Sequence, residues 1–494
     1  MHTVLFLLGA LLVGVLSAVQ VNLALGLVVL GLGAVLSRFS SRDLIAATVI
    51  LILAVPTGWS MATALPFTSI SIGGSTISIQ MLLAILALCV YLVGSPALRE
   101  GATETTQVRF PFLTTAVLVW LTVVAISLVS GVLHNGLKAA LSDGQVYLLY
   151  GCILVPLVGE RRLGDTSAKR IAGTALVGLA AYGVWVMSVL FSDGLHRAVF
   201  AGANMARTRV GFGTTSLLVM FMPLTLALLE TPSLRKHMRL ILVMTLGIMG
   251  LTIMASQSRA ALAALLAALA VYLLWPGRRR VGSRGRAAAV VAVVLVAFIG
   301  FGVVLANPDL SSTAANFIGR GPLAVTDATY QVRAATNALL LSRVTEGGVW
   351  LRGLGLGSTA LTVAPSGVTA YTAFFVDNAF LTVALKAGIF GVLSLAAVIV
   401  AVWAVALRLA GMGSPLARAI ASALPFFVAV VGLSTAHLVN AASIPVGLAV
   451  VTAILAAEGT RLSARGAPEQ APDTRVQSLG AQSETSAENS RAIK

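Results

Sequence analysis

LILVMTLGIMGLTIMASQSRAALAALLAALAVYLLW, residues 240–275, contains two apolar runs separated by four polar residues. Each run approaches the length of about 20 apolar residues that crosses the hydrocarbon core of a bilayer. Because the gap between them is so short, the stretch predicts two membrane helices joined by a tight turn. Composition agrees, since 58% of the residues are hydrophobic and 10% are charged, whereas soluble domains carry about 25% charged residues.

Similar runs recur along the chain and predict an all-α polytopic membrane protein with about 12–14 transmembrane helices. The runs lie near 3–19, 21–37, 44–58, 80–95, 111–131, 138–158, 171–191, 213–230, 240–255, 260–275, 287–306, 378–407, 419–436 and 444–460. Residues 1–19 lack the basic region that opens a signal peptide. We therefore interpret them as a helix.

The positive charges predict the orientation of these helices. More than half of the 33 Lys and Arg residues fall in alternate short loops, at positions 38–42, 99–109, 161–170, 235–239, 278–286 and 408–418. Positive loops stay in the cytoplasm, which predicts a multi-pass protein of the cytoplasmic membrane with both termini cytoplasmic. The net charge of +16 follows from this pattern and gives no reason to expect a nucleic-acid partner. Membrane lipids are the expected surroundings.

Two segments interrupt the pattern of membrane runs. Residues 1–460 form the predicted transmembrane domain, and residues 307–377 within it form one large extracytoplasmic loop that carries helices. A loop this long is usually functional. Residues 461–494, rich in Ser, Ala, Glu and Gln, predict a disordered cytoplasmic tail.

The extracytoplasmic loop contains a predicted helix and a glycine-rich turn. Residues 327–343 show helical spacing of apolar residues, with Arg333 and Asn337 as a polar pair four positions apart. Gly347 and Gly348 end this helix. The sequence RGLGLGS, residues 352–358, follows. It is either a simple helix stop and loop or a turn whose exposed amides approach an oxyanion.

Polar residues at the ends of the membrane runs are candidate site residues. Arg259 lies on the face assigned to the outside, against the usual distribution of arginine, and therefore requires an anionic partner. Asp377 and Asn378 open a long apolar helix, where either side chain suits an N-cap; the alternative role for Asp377 is a base facing the arginines. Lys386 lies within that helix and must pair, reach the interface or line a cavity.

Three blocks carry a family resemblance. They are RTRVGFGTTS at 207–216, SQSRAA at 256–261, and the region from Arg333 through GLGLG at 353–357 to DNAFL at 377–381 and KAGIFG at 386–391. In this order they resemble the O-antigen ligase and O-antigen polymerase superfamily of membrane glycosyltransferases. The resemblance covers about residues 200–400. It implies a GT-C-like membrane fold.

The resemblance implies a function in the assembly of cell-surface polysaccharide. Such enzymes transfer a glycan from a polyprenyl-diphosphate donor to a hydroxyl of a glycan or glycolipid acceptor, on the extracytoplasmic face, with inversion and without a metal or other cofactor. The residues implied to bind the diphosphate are Arg209, Arg259 and Arg333, with Arg207 and Arg352 as further candidates. Arg259 would also act in catalysis, and Asn378 would lie on the acceptor side.

The catalytic base is the point at which the sequence departs from the family. Ligases of the superfamily usually carry a His before the Asn of this helix, and this sequence has Asp377. Asp377 is therefore the expected base, with His134, His196 and His437 as alternatives. The substitution is also compatible with a polymerase, a different class of acceptor, or a member of the superfamily that has lost activity.

A transporter or flippase for a lipid-linked or anionic solute is the alternative function. Transporters commonly have two repeated halves and a binding site at the middle of the bilayer. No internal repeat is evident in this sequence, and the candidate arginines cluster at one predicted surface. These two features favour transfer over transport.

Overall fold

The computed structural model describes residues 41–54, 69–72, 75–93, 111–159, 165–192, 214–230, 234–255, 259–275, 328–363, 370–373, 378–434 and 437–466. These residues are largely helical. The first helices are α1 (Ser41–Ala54), α2 (Ile79–Val93), α3 (Pro111–Asn135), α4 (Leu137–Gly159), α5 (Asp165–Ser192), α6 (Thr214–Leu229), α7 (Lys236–Ala255) and α8 (Arg259–Leu274). The remaining helices are α9 (Ala328–Thr345), α10 (Val349–Arg352), α11 (Ala379–Gly411), α12 (Pro415–Val428), α13 (His437–Asn440) and α14 (Ser443–Gly466).

The helical class predicted from the sequence is confirmed, and the described helices are compatible with a multi-pass membrane protein. Six of the described helices are long and apolar enough to cross a membrane, within 111–135, 137–157, 236–253, 379–411, 415–433 and 443–463, and four shorter apolar helices accompany them. Large apolar side chains such as Ile126 and Leu133 are 65% and 76% exposed. Lipid would cover such side chains in a bilayer. The predicted runs near 3–19, 21–37 and 287–306 lie outside the described residues.

Two short antiparallel hairpins were not predicted. Strands β1 (Ser69–Ile72) and β2 (Ser75–Ser78) pair just before α2, and strands β3 (Ala360–Val363) and β4 (Ala370–Ala373) pair within the predicted extracytoplasmic loop. The predicted helix of that loop is confirmed as α9, and a single turn at Glu346–Gly348 follows it. Helix α9 packs against both β3 and α11.

The helix α14 continues past the predicted end of the transmembrane domain at residue 460. It reaches Gly466, and Arg461 Nη2 donates to Glu458 Oε2 at 2.8 Å within it. Residues 461–466 are therefore helical, and the prediction that the disordered tail starts at 461 is wrong at that boundary. An ion pair within one helical turn stabilises the end of the helix.

Side-chain contacts show that several helices begin at the same end of the bundle. Tyr182 of α5 hydrogen bonds to Thr215 at the start of α6, and the neighbouring Gly183 packs against Thr252 near the end of α7. The start of α6 and the end of α7 therefore lie at one level. Because only residues 256–258 separate α7 from α8, Arg259 begins α8 at this level too.

The helices α11 and α14 also begin at this end. Gly447 of α14 packs against Leu217 of α6, and Gly432, after α12, packs against the ring of Phe380 near the start of α11. At the opposite end, Ser414 Oγ donates to Glu458 Oε2 at 2.5 Å and joins the start of α12 to the end of α14. We call the end of the bundle where α6, α8, α11 and α14 begin the Arg259 end.

Candidate functional site

A break in α11 forms the centre of the candidate site. Gly388 has φ 65° and ψ −166°, which are not helical values, and a positive φ is favourable only for glycine. Residues after a break no longer donate to the carbonyls before it, so those carbonyls need other donors. The remaining part of α11, from Ile389 to Gly411, is about 34 Å long at 1.5 Å per residue.

The glycine turn, residues 353–358, supplies the missing donors. The Leu354 amide donates to the Leu385 carbonyl at 2.7 Å, and the Gly355 amide donates to the Lys386 carbonyl at 2.9 Å. The Lys386 carbonyl also accepts from Ser127 Oγ of α3 at 2.8 Å. The segment that carries α9, α10 and the glycine turn is thereby joined to the helical bundle through main-chain hydrogen bonds.

The tip of the α3–α4 hairpin encloses the other side of the glycine turn. Asn135 Nδ2 donates to the Leu354 and Leu356 carbonyls at 3.3 and 3.1 Å, and the Leu356 amide donates to the Ser127 carbonyl at 3.0 Å. Gly131 lies so close that a Cβ at this position would overlap the Leu356 main chain. At Gly131 the hairpin therefore fits the turn only because this position has no side chain.

The glycines of the turn satisfy two requirements at once. Gly353, Gly355 and Gly357 have φ of 73°, 84° and 84°, in the left-handed region that other residues rarely adopt. A Cβ at Gly355 would also lie 2.5 Å from the Gly131 nitrogen, and a Cβ at Gly357 would lie 2.7 Å from the Ala139 carbonyl carbon. The alternation of glycine in GLGLG is thus a packing requirement.

A buried ion pair lies beneath the turn. Lys386 Nζ donates to Asp143 Oδ1, with side chains 0% and 4% exposed. The second carboxylate oxygen, Asp143 Oδ2, accepts from the Gly357 amide at 2.7 Å, and Lys386 Nζ lies 5.9 Å from the centre of the Tyr147 ring. One carboxylate therefore contacts α4, α11 and the glycine turn.

These contacts overturn one prediction about the turn. The prediction that its amides are exposed is wrong, because each amide from 353 to 358 donates within the protein. The oxyanion that the Gly357 amide approaches is the buried Asp143 carboxylate. Beyond the four described above, the Gly353 amide donates to the Val349 carbonyl and the Ser358 amide to the Gly355 carbonyl. The turn therefore anchors neighbouring segments and offers no amide to a ligand.

The role of Asp143 was not predicted from the sequence. It lies in an apolar helix, 243 positions from Lys386, and no local spacing connects them. The rule that a lysine within a membrane span must pair is confirmed for Lys386. A search for acidic residues inside the other apolar runs would have suggested Asp143 as the partner.

Only some of the residues predicted to form the donor site are among the described residues. Arg207, Arg209 and Asp377 lie outside them, and for Arg259 the main chain alone is described, as the first residue of α8 at the Arg259 end. The proximity of Arg209, Arg259 and Arg333 side chains therefore stays a prediction.

The remaining predicted residues have clear positions. Arg333 lies on α9 and is half-buried, and this helix contacts α11 through Leu340, Val344 and Leu385. Arg352 ends α10 beside the glycine turn and is exposed. Asn378 Oδ1 accepts from the Leu381 amide at 3.1 Å and caps α11, so the N-cap is Asn378 and not Asp377.

The predicted pair of Arg333 and Asn337 is not formed. Arginine only donates, so the pair requires Asn337 Oδ1 as the acceptor, and that atom is buried with no hydrogen-bond partner among the described residues. The helical spacing correctly predicts that both residues lie on α9. It does not predict that neighbouring elements bury Asn337.

The alternative bases differ in their surroundings. His134 Nδ1 lies 2.7 Å from the Ser130 carbonyl. Because a carbonyl only accepts, this contact requires the proton on Nδ1, and in a neutral ring Nε2 would then be the acceptor nitrogen. His437 begins α13, and His196 lies outside the described residues. Within the described part of the chain, no three His, Cys, Asp or Glu side chains cluster as metal ligands would.

Comparison with known proteins adds no assignment. The chain matches no family model and no curated protein.

Proposed function

We propose that this protein is a membrane glycosyltransferase. It would transfer a glycan from a polyprenyl-diphosphate donor to an acceptor hydroxyl on the extracytoplasmic face of the cytoplasmic membrane, as an O-antigen ligase or polymerase does. Arg209, Arg259 and Arg333 would bind the diphosphate, with Arg207 and Arg352 nearby. The observation that carries this proposal is that Arg259 begins α8 at the same end of the bundle at which α6 and α11 begin.

The common level of these helix starts supports a shared cationic site. Arg209 precedes Thr214, the first residue of α6, by five residues, a distance of at most about 18 Å along an extended chain. Arg259 is the first residue of a helix, where the main-chain amides also favour an anion. Guanidinium groups bind phosphate oxygens in a bidentate manner and stay charged when water is excluded.

The anchoring of the extracytoplasmic helices supports the participation of Arg333 and Arg352. Both arginines belong to helices that join the bundle through the glycine turn and the Leu340, Val344 and Leu385 cluster. Departure of a diphosphate builds negative charge in the transition state. A preorganised donor near that charge contributes about 3 kcal/mol.

The cap of α11 supports a separate role for Asp377. Because Asn378 already accepts the Leu381 amide, the start of the helix does not need the Asp377 carboxylate as its cap. A carboxylate not occupied by capping retains its capacity to accept a proton from an attacking hydroxyl. Asp377 is therefore our proposed base, with Asn378 next to it holding the helix start that faces the acceptor.

A transporter is the second candidate, because broken helices with buried charges also occur in transporters. In that class the carbonyls freed by the break coordinate the coupling cation. Here the Leu385 and Lys386 carbonyls already accept hydrogen bonds from the glycine turn. The part of α11 after the break is by itself long enough to cross a core of about 30 Å, so the break need not lie at mid-bilayer. Both observations favour the transferase.

Reconstitution of the purified protein in liposomes tests the proposal. The donor is a polyprenyl-diphosphate-linked oligosaccharide placed in the outer leaflet, with free oligosaccharide of the same type as acceptor. A transferase yields elongated oligosaccharide and releases polyprenyl diphosphate. A protein that only moves the intact donor between leaflets, with no release of polyprenyl diphosphate, contradicts the proposal.

A further inference from the structure

The Asp143 carboxylate connects three parts of the chain that are distant in sequence. Its Oδ1 accepts from Lys386 Nζ of α11 and its Oδ2 accepts from the Gly357 amide, while Asp143 itself belongs to α4. Both partners of the ion pair are almost completely buried. A buried carboxylate held in this way fixes the relative positions of all three elements.

The glycine turn in turn carries the extracytoplasmic helices. Arg352, the last residue of α10, directly precedes Gly353, and the Gly353 amide donates to the Val349 carbonyl of α10 at 2.8 Å. Helix α9 leads into α10 through the single turn at Glu346–Gly348. A shift of the turn away from α11 and the α3–α4 hairpin would therefore move α9 and α10 relative to the bundle.

The break in α11 brings the ion pair into contact with the segment that carries the glycine turn. Gly388 packs against the Leu351 main chain, and Gly353 packs against that of Lys386, so α10 and the turn lie directly on the broken segment. The Lys386 side chain reaches Asp143 while its carbonyl accepts from Gly355 and Ser127. Lys386 thus contacts the turn directly through its main chain, and its side chain contacts Asp143, which accepts from the turn.

We propose that Asp143, held by Lys386, is a positioning residue that orients α9 and α10, and with them Arg333 and Arg352, over the Arg259 end of the bundle. Asp143 would act only through these elements and would not touch the donor. The effect on turnover rests on the proposed function, whereas the orientation of the helices does not.

Two double variants separate the hydrogen bond to Gly357 from the charge. D143N/K386M removes both charges and keeps a side-chain oxygen that accepts from the Gly357 amide. D143L/K386M removes both charges and that acceptor. Neither leaves an unpaired buried charge, which is the most damaging outcome of a single substitution.

The distance between α9 and the hairpin tip is the direct readout. Spin labels at exposed Ala335 and Leu133, in a background in which Cys89 and Cys152 are replaced, report it by pulsed electron paramagnetic resonance. We expect the single narrow distance distribution of the parent protein to be kept in D143N/K386M and to broaden in D143L/K386M. A broad distribution in D143N/K386M, or a narrow one in D143L/K386M, overturns the proposal. If D143L/K386M does not fold, the distance distribution of D143N/K386M still tests the proposal.

Turnover adds a readout that a purely structural role would not change. In variants with matched thermal unfolding, kcat/KM for the donor should fall at least ten-fold in D143L/K386M and stay within two-fold in D143N/K386M. Equal kcat/KM in the two variants overturns the positioning role. Because the distances are measured without donor, failure of the parent protein to transfer glycan refutes the proposed function and leaves the distance test interpretable.

Discussion

Asp143 and Lys386 form a buried ion pair across 243 positions of the chain. The pair joins the α3–α4 hairpin to the broken helix α11, and the glycine turn closes over it. A membrane helix that carries a lysine is thereby made compatible with its surroundings, because the charge has a partner and the broken main chain has donors.

Removing one member of this pair should destabilise the protein strongly. Lys386→Met leaves the Asp143 carboxylate buried without its cation, which costs about 3–5 kcal/mol. The double variant D143N/K386M should lie within about 1 kcal/mol of the parent, since a neutral replacement of both partners is often tolerated. Unfolding by SDS in mixed micelles measures both values. Equal stability of the single variant and the parent would contradict a tightly coupled pair.

The contact of the hairpin tip with the turn should not accept a methyl group. In Gly131→Ala the new Cβ would overlap the Leu356 main chain, and such overpacking costs about 1–3 kcal/mol. Gly247→Ala is the matched control, because Gly247 lies within α7 with open space around it. There alanine should stabilise the helix by about 0.5–1 kcal/mol. The same unfolding measurement checks both, and a neutral Gly131→Ala would mean that the turn is not seated there.

Two arginines on the same helix should differ in their importance for transfer. Arg333→Ala should lower kcat/KM for the donor by about 10²-fold, the effect of removing one preorganised donor from a developing negative charge. Arg343→Ala is the control: Arg343 is 58% exposed and pairs with Glu346 at 3.0 Å, and exposed pairs contribute little. Similar losses in the two variants would indicate a general effect on α9 and remove Arg333 from the donor site.

Substitutions at two neighbouring residues, Asp377 and Asn378, should have different effects: one should change turnover and the other should change stability. Asn378→Ala removes the oxygen that accepts the Leu381 amide and should cost about 1 kcal/mol. Asp377→Asn should leave unfolding unchanged and lower kcat by about 10²-fold or more, the usual contribution of a general base. Full turnover in Asp377→Asn would direct the search for the base to the histidines.

The sequence predicts the elements of this protein better than it predicts their contacts. The described membrane helices follow from the length of the apolar runs, and helix α9 follows from the spacing of its apolar residues. The link between Asp143 and Lys386 does not, since it depends on how helices pack. The glycine turn shows the same limit: its residues predict a turn, but only the structure reveals that the broken helix and the hairpin tip occupy its amides.

The candidate donor site was predicted from charge and from family resemblance. The structure brings the start of α8 to the level at which α6 and α11 begin, which an alternating path through the membrane predicts for short connections. The burial of Asn337 Oδ1 was not predictable in this way. It depends on how elements such as β3 and α11 pack on α9, which the spacing of residues within α9 does not specify.

Release of polyprenyl diphosphate by Arg259 variants tests the central claim most directly. The measurement compares the reconstituted parent protein, Arg259→Ala, Arg259→Lys and the control Arg235→Ala, whose exposed side chain lies just before α7, at the other end of that helix. We predict release and glycan transfer by the parent and by Arg235→Ala, a loss of at least about 10²-fold in Arg259→Ala, and a partial loss in Arg259→Lys, because lysine keeps the charge without the bidentate geometry. Transfer by Arg259→Ala at the parental rate would contradict the assignment of a diphosphate site at this end of the bundle.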